Sequence, residues 1–340
     1  MPRNTAAIAL ALFPAPLLSM AASAQTPDIR HESPASAPLG TASSAEIPEA
    51  RIFIDTIAMR IERYRRMTVP VTIMGQGPFD FMVDTGSQTT VLSHALAEQL
   101  QLTDRRSAML VGMASRRAVQ TTMVPDFILG ERSMTIRTAP LIEKSHIGGA
   151  DGIIGLDTLQ DQRVLLDFAK GEMHISETLG AGGTGSYDII VRARERLGQL
   201  IIHRATIDGV SIAVIVDTGA QGSFGNLALE ERLRRGQRLS DALMTDVNGV
   251  HISGITRIAR RLEMGSAQIN NVAISFADSP TFHALGLADR PALVLGMNEL
   301  RLFKRVAIDF RSRRVLFDLP GDITTDQNWN FNQRATRLRD

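Results

Sequence analysis

No cysteine occurs in the 340 residues, so a disulfide framework, a thiolate metal site, a lipid-modified cysteine and a cysteine nucleophile are all excluded. Trp and Tyr are nearly absent as well, at one and two copies. Basic and acidic side chains balance, 37 Lys plus Arg against 36 Asp plus Glu. Nucleic-acid binding needs a clustered basic face with interleaved aromatics, so no nucleic-acid partner is expected. The run Arg232, Arg234, Arg235 directly follows Glu230 and Glu231, which fits a solvated helix face. None of the seven histidines stands in His-Glu-x-x-His or His-x-His spacing, and no metal site is predicted. A Gly-x-Ser-x-Gly elbow for serine catalysis is also lacking.

Long apolar runs are missing too. The longest candidate, Ala6 to Met20, is interrupted by Pro14 and Pro16 and is too short to span a bilayer comfortably. Met1-Pro2-Arg3 precedes it and Ala22-Ser23-Ala24 follows it. A positive start, a short apolar run and a small-x-small end predict a secretory signal peptide over residues 1–24, cleaved before Gln25. The expected location is therefore periplasmic or secreted, after export across a bacterial-type inner membrane, with no stable membrane insertion once the leader is removed. Without disulfides, such a protein is held by its core alone.

What is present divides into parts. With 44% apolar residues the chain is long enough for two domains, each with its own core. Residues 25–50, rich in Ala, Ser and Pro, read as a disordered spacer. The Gly-rich stretch 179–186 reads as a linker. It separates an N-terminal lobe, 51–178, from a C-terminal lobe, 187–320, and a polar tail, 321–340, follows.

The two lobes repeat one another, and this decides the reading. Val71 to Gly75 leads through Phe79 to Val83 into Asp84-Thr85-Gly86-Ser87-Gln88, while Ala205 to Gly209 leads through Ile212 to Val216 into Asp217-Thr218-Gly219-Ala220-Gln221. Each half is a strand, a Gly-containing turn and a second apolar strand ending in Asp-Thr-Gly. Downstream, Gly152-Ile153-Ile154-Gly155 corresponds to Leu293-Val294-Leu295-Gly296, and hairpin patterns follow at Val164 to Ile175 and Val306 to Phe317. Asp167 and Asp309 sit inside these strand-turn patterns and are expected to fix the turns. Short helices are expected after the triads, at Ala95 to Leu102 and Leu227 to Arg235, and after Gly155 and Gly296. The remainder predicts a mainly β fold.

An apolar strand that ends in Asp places an ionisable group at the mouth of a low-dielectric core, where it needs a partner. If the lobes pack about a pseudo-two-fold axis, Asp84 and Asp217 meet there and share one proton, because like charges in contact cannot both ionise cheaply. Such a pair supplies a base and an acid side by side, enough to activate a water and protonate the departing amine of an amide. Thr85 and Thr218 offer hydroxyls to the facing loop, and Gly86 and Gly219 let the backbone turn an N–H toward a carboxylate. The loops differ at Ser87 against Ala220. A Ser87 hydroxyl bonded to the outer oxygen of Asp84 would place the charge on Asp84 and the proton on Asp217.

With these motifs the chain resembles the retropepsin-like aspartic peptidases, in the tandem two-lobed form of bacterial exported proteins. The family pairs an Asp-Thr-Gly or Asp-Ser-Gly loop with a downstream apolar-apolar-Gly segment, and both occur twice here, over residues 51 to 320. The resemblance implies two acid-protease β-barrel lobes in one monomer, an extended peptide or protein substrate held under mobile flaps, water as nucleophile and no cofactor. Flap tips are expected around Gly112 and Met113 and around Asn248 and Gly249, in hairpin-like stretches with turn residues. Retroviral members place an Arg after the downstream Gly, paired with an acidic residue just past the triad. Leu156 and Met297, and Gln88 and Gln221, stand at those positions, so a different buttress is expected. Two other readings compete: a peptide-binding protein that kept the fold without catalysis, and lobes that pair with their twins in a second chain.

Overall fold

The computed structural model describes residues 6–8, 13–14, 54–61, 67–176, 187–233, 237–320 and 335–337. The expected spacer and the Gly-rich linker lie outside the described residues, as do most of the leader and of the tail. The short strands Ala6–Ile8 and Phe13–Pro14 pair with Arg106–Val111 and Gln237–Thr245, respectively.

Each lobe is built on one hairpin. Met67–Ile73 and Gln76–Val83 are joined through Met74 and Gly75, and Gln199–Ile207 and Val210–Val216 through Asp208 and Gly209. All four turn residues have positive φ, between 47° and 82°. This left-handed geometry matches the strand twist and favours Gly at the second position. Side chains of the second strand alternate between two faces. Phe81 and Val83 enter the large central core, whereas Met82 joins a smaller apolar cluster on the other side. In the C-terminal lobe Val214 and Val216 enter the same core, and Ala213 and Ile215 join a second, smaller apolar cluster.

Both hairpins are closed into six-stranded barrels. In the first, Arg116–Leu129 pairs with Met67–Ile73 as well as with Arg132–Ile142, which returns through Val91–Ser93 and Gly152–Ile154 to Gln76–Val83. In the second, His251–Met264 closes on Gln199–Ile207 in the same way, and Ala267–Phe276, Ser223–Gly225 and Ala292–Leu295 complete the ring. The segments that carry the downstream glycines lie parallel to the strands that carry the aspartates. Ile154 pairs with Val83 and Leu295 with Val216.

The lobes are joined by one antiparallel six-stranded sheet, three strands from each. Its order is Ile189–Arg192, Arg314–Asp318, Arg305–Asp309, Arg163–Asp167, Glu172–Ser176, Ile54–Ala58. Across the middle, Leu165 faces its repeat counterpart Ala307, which puts a pseudo-two-fold axis through this pair. Asp167 Oδ1 accepts from the N–H groups of Ala169 and Lys170, and Asp309 Oδ1 from that of Ser312, so both aspartates fix hairpin turns.

The fold is mainly β, as the repeats predict, and its helices are short. His94–Gln99, Leu227–Arg232, Leu156–Leu159 and Met297–Leu300 fall where they are expected, the first two three residues shorter at the C-terminal end. Pro280–Ala284 was not anticipated. Ser279 caps it through Thr281 N–H and Pro280 opens it, a local start signal that the surrounding β pattern outweighs.

Candidate active site

Val83 and Val216 each end their strand at the interlobe face, and the next residues turn. In the first loop the N–H groups of Gly86 and Ser87 donate to Asp84 Oδ1 at 2.8 and 2.9 Å. In the second, those of Gly219 and Ala220 donate to Asp217 Oδ1 at 2.8 and 3.2 Å. The loops then cross. Thr218 donates its hydroxyl to the Val83 carbonyl at 2.8 Å and accepts from the Thr85 N–H at 3.0 Å. Reciprocally, Thr85 donates to the Val216 carbonyl at 3.0 Å and accepts from the Thr218 N–H at 3.2 Å.

This lattice presses each carboxyl against the other loop. A Cβ on Gly86 would lie 2.6 Å from Cγ of Asp217, and one on Gly219 2.3 Å from Cγ of Asp84. Both aspartates are fully buried. Burial pushes the Asp217 carboxyl well above the ordinary carboxylate range, the neighbouring Asp84 pushes it further, and the bonds from Gly219 and Ala220 only partly oppose this. One buried carboxyl thus keeps a proton where a solvated one would have lost it, and the pair titrates as a unit.

Against this geometry, the aspartyl protease family model matches residues 69–158 and again 203–298. The chain belongs to the aspartyl protease family. No curated protein matches the chain.

The Ser87 hydroxyl corrects one expectation. It donates to the Thr89 carbonyl at 2.8 Å, and only the backbone N–H of Ser87 reaches Asp84. An Asp in such a turn collects amides locally, so a hydroxyl one residue past the triad is free to close the next turn.

The buttress of this family member replaces an Arg ion pair with hydroxyls and carboxylates. Six residues after each triad Asp stands a hydroxyl, Thr90 or Ser223, which accepts from the N–H of Gly155 or Gly296 at 3.2 and 3.0 Å. In the first lobe Asp157 Oδ1 accepts from Thr90 Oγ1 at 2.7 Å and from Thr90 N–H at 2.9 Å. In the second, Glu299, 1% exposed, accepts from Ser223 Oγ at 2.5 Å. Backbone bonds from Leu156 to Ser87, and from Met297 to Ala220, tie the downstream segment to the loop. Gly155 and Gly296 lie so close beneath that a Cβ would come within 2.4 Å of Thr89 and 2.5 Å of Gly222 backbone atoms. Sequence reasoning missed Thr90, Asp157, Ser223 and Glu299. Their signal was a matched hydroxyl at the same offset in both halves.

Gly112 and Met113 lie in the turn between Arg106–Val111 and Arg116–Leu129, and Asn248 and Gly249 in the turn between Gln237–Thr245 and His251–Met264. The two hairpin tips meet. Gly249, at φ +73°, packs so tightly on His146 that a Cβ would lie 2.3 Å from its Nε2. Met113 and Val247 are buried, and burial of such side chains stabilises by roughly 1.5–3 kcal/mol each. Sequence reasoning did not single out Asp246 and Ser115, which join these tips.

Proposed function

We propose that the protein is an aspartic endopeptidase that hydrolyses peptide bonds with a water activated between Asp84 and Asp217. The observation that carries this is the pair of fully buried carboxyls, each cradled by its own loop amides and pressed against the glycine of the other loop. The resting pair shares one proton, and with it on Asp217 the charge lies on Asp84. Asp84 takes a proton from water as its oxygen attacks the scissile carbonyl, and Asp217 donates to the carbonyl oxygen. The proton on Asp84 then passes to the amide nitrogen as the C–N bond breaks, and one diol hydroxyl returns its proton to Asp217, leaving a new carboxyl group and a new amine and restoring the pair. Each carboxyl is held through its Oδ1 by loop amides, so little reorganisation accompanies the charge movement.

Cleavage of an unfolded protein across a pH series tests this reading. A bell-shaped profile is expected, insensitive to EDTA, with its alkaline limb above the ordinary carboxylate range because that limb reports loss of the Asp217 proton. Ser87→Ala should leave the acidic limb in place, since its hydroxyl is spent on Thr89. Peptide binding with no hydrolysis at any pH would favour the non-catalytic reading instead.

The substrate proposed is an extended peptide or unfolded protein, and the active species a monomer, because one chain supplies both loops and both sides of the joining sheet. Among the described residues no helix is long and apolar enough to cross a membrane. Export rests on the leader's composition. N-terminal sequencing of protein recovered from the periplasm should begin at Gln25, and recovery only from the cytoplasm with the leader intact would oppose it.

A further inference from the structure

Both aspartates are fully buried, and the two hairpin tips are bonded to each other. Asp246, itself fully buried, stands at the junction. Its Oδ1 accepts from the N–H groups of Asn248 and Val250 at 2.9 and 3.0 Å and so closes its own turn. Its Oδ2 reaches across to the other lobe and accepts from Ala114 N–H at 3.1 Å and from Ser115 Oγ at 2.7 Å. Asn248 Nδ2 donates to Ser115 Oγ at 2.9 Å, and Arg117 donates to the Asn248 carbonyl at 3.1 Å. Gly112 lies so close that a Cβ would sit 2.4 Å from Asp246 Oδ2. Four donors on one buried carboxylate make these bonds charge-assisted and stronger than neutral ones.

The same tips exchange apolar side chains. Met113, from the N-terminal lobe, is buried in the C-terminal lobe's outer cluster with Ile215, Ala220 and Val294. Val247, from the C-terminal lobe, is buried in the N-terminal lobe's outer cluster with Met82 and Ile153. Met82 and Ile215 stand two residues before Asp84 and Asp217, and Ile153 and Val294 two before Gly155 and Gly296. The clusters are therefore matched apolar hollows on either side of the aspartates, each filled by the opposite tip. Met113 is fastened there by its carbonyl, which accepts from Ser279 Oγ at 2.6 Å.

We propose that Asp246 latches both flaps shut in the free protein while Met113 and Val247 stand in for substrate side chains, so that an extended peptide enters by breaking the latch and offering apolar side chains in their place. This rests on the peptidase reading for the identity of the occupant. It adds that opening is a joint motion of both flaps, since one carboxylate holds them together.

Hydrogen exchange on the mature chain, read by mass spectrometry over residues 106–129 and 237–264, tests the latch without requiring turnover. Ser115→Ala removes one donor to Asp246 and leaves the Asp246 turn bonds intact. Exchange at both tips should then rise together, about fivefold, the change expected for one lost hydrogen bond. Asp246→Asn, which turns an amide N–H₂ toward the Ala114 and Ser115 donors, should raise it further. A rise confined to residues 106–129, or none in either variant, would overturn the latch. In a second arm, the association rate of a statine-containing peptide with Leu side chains is measured by stopped flow. Ser115→Ala should bind it severalfold faster than wild type, and an equal or slower rate would overturn the gating role. If both tips loosen together but the peptide binds neither protein, the latch stands and the peptidase reading fails.

Discussion

Asp84→Asn and Asp217→Asn are each expected to abolish peptide cleavage, with a loss of at least about 10²–10⁴-fold, the range general acid and base groups contribute. An amide neither takes a proton from water nor gives one to the carbonyl. It does preserve shape, and each loop keeps its amide bonds to Oδ1, so both variants should remain folded. The losses should not add in the double variant, because the two groups act as a unit. Mixing the two single variants should restore nothing if one chain carries the whole site. Turnover near the wild-type rate in either single variant would show that the shared pair is not the catalyst, and activity regained on mixing would show that lobes pair between chains.

The second large effect concerns stability. Thr218→Val removes the donor to the Val83 carbonyl and the acceptor of the Thr85 N–H. Both partners are buried at the junction of the lobes, and an unsatisfied buried group costs about 1–3 kcal/mol. Loss of roughly 2–5 kcal/mol is therefore expected in denaturant unfolding, a large share of the 5–15 kcal/mol typical of a domain. Thr85→Val should cost a similar amount, because its hydroxyl plays the mirror role. A loss below about 1 kcal/mol in both variants would mean that the crossed threonines are replaced by water and do not hold the lobes together.

Much of this was legible in the sequence because the fold is duplicated. Two Asp-Thr-Gly loops, two apolar-apolar-Gly segments and two hairpin patterns fix the order of strands, since each half constrains the other. Alternation along Phe81, Met82 and Val83 could be read as a strand, but not that its two faces serve different clusters, which requires the flaps. The Ser87 hydroxyl could not be placed, because a side chain in a turn chooses among several backbone acceptors at similar distance. Asp246 was invisible for another reason. Its partners Ala114 and Ser115 lie more than 130 positions away, and no local pattern records a contact made across a pseudo-symmetric interface. The Thr90–Asp157 and Ser223–Glu299 pairs differ in chemistry between the halves, which hides a repeat that matched residue types would reveal.

The central claim is that Asp84 and Asp217 hold one proton between them, and the pH dependence of unfolding tests it without any substrate. Asp217 binds its proton more tightly in the folded state than in the unfolded state. Below the ordinary carboxylate range both states are protonated and the stabilising effect of that proton is fully present. It is lost as pH rises from that range through the folded-state value. Asp217→Asn keeps no such proton, so wild type and variant should unfold with equal free energy near pH 3. Above about pH 4 the variant should gain on the wild type by up to about 1.4 kcal/mol per pH unit, the slope of one proton. Parallel stability curves over the whole range would contradict the shared proton, and with it the chemistry assigned to the pair.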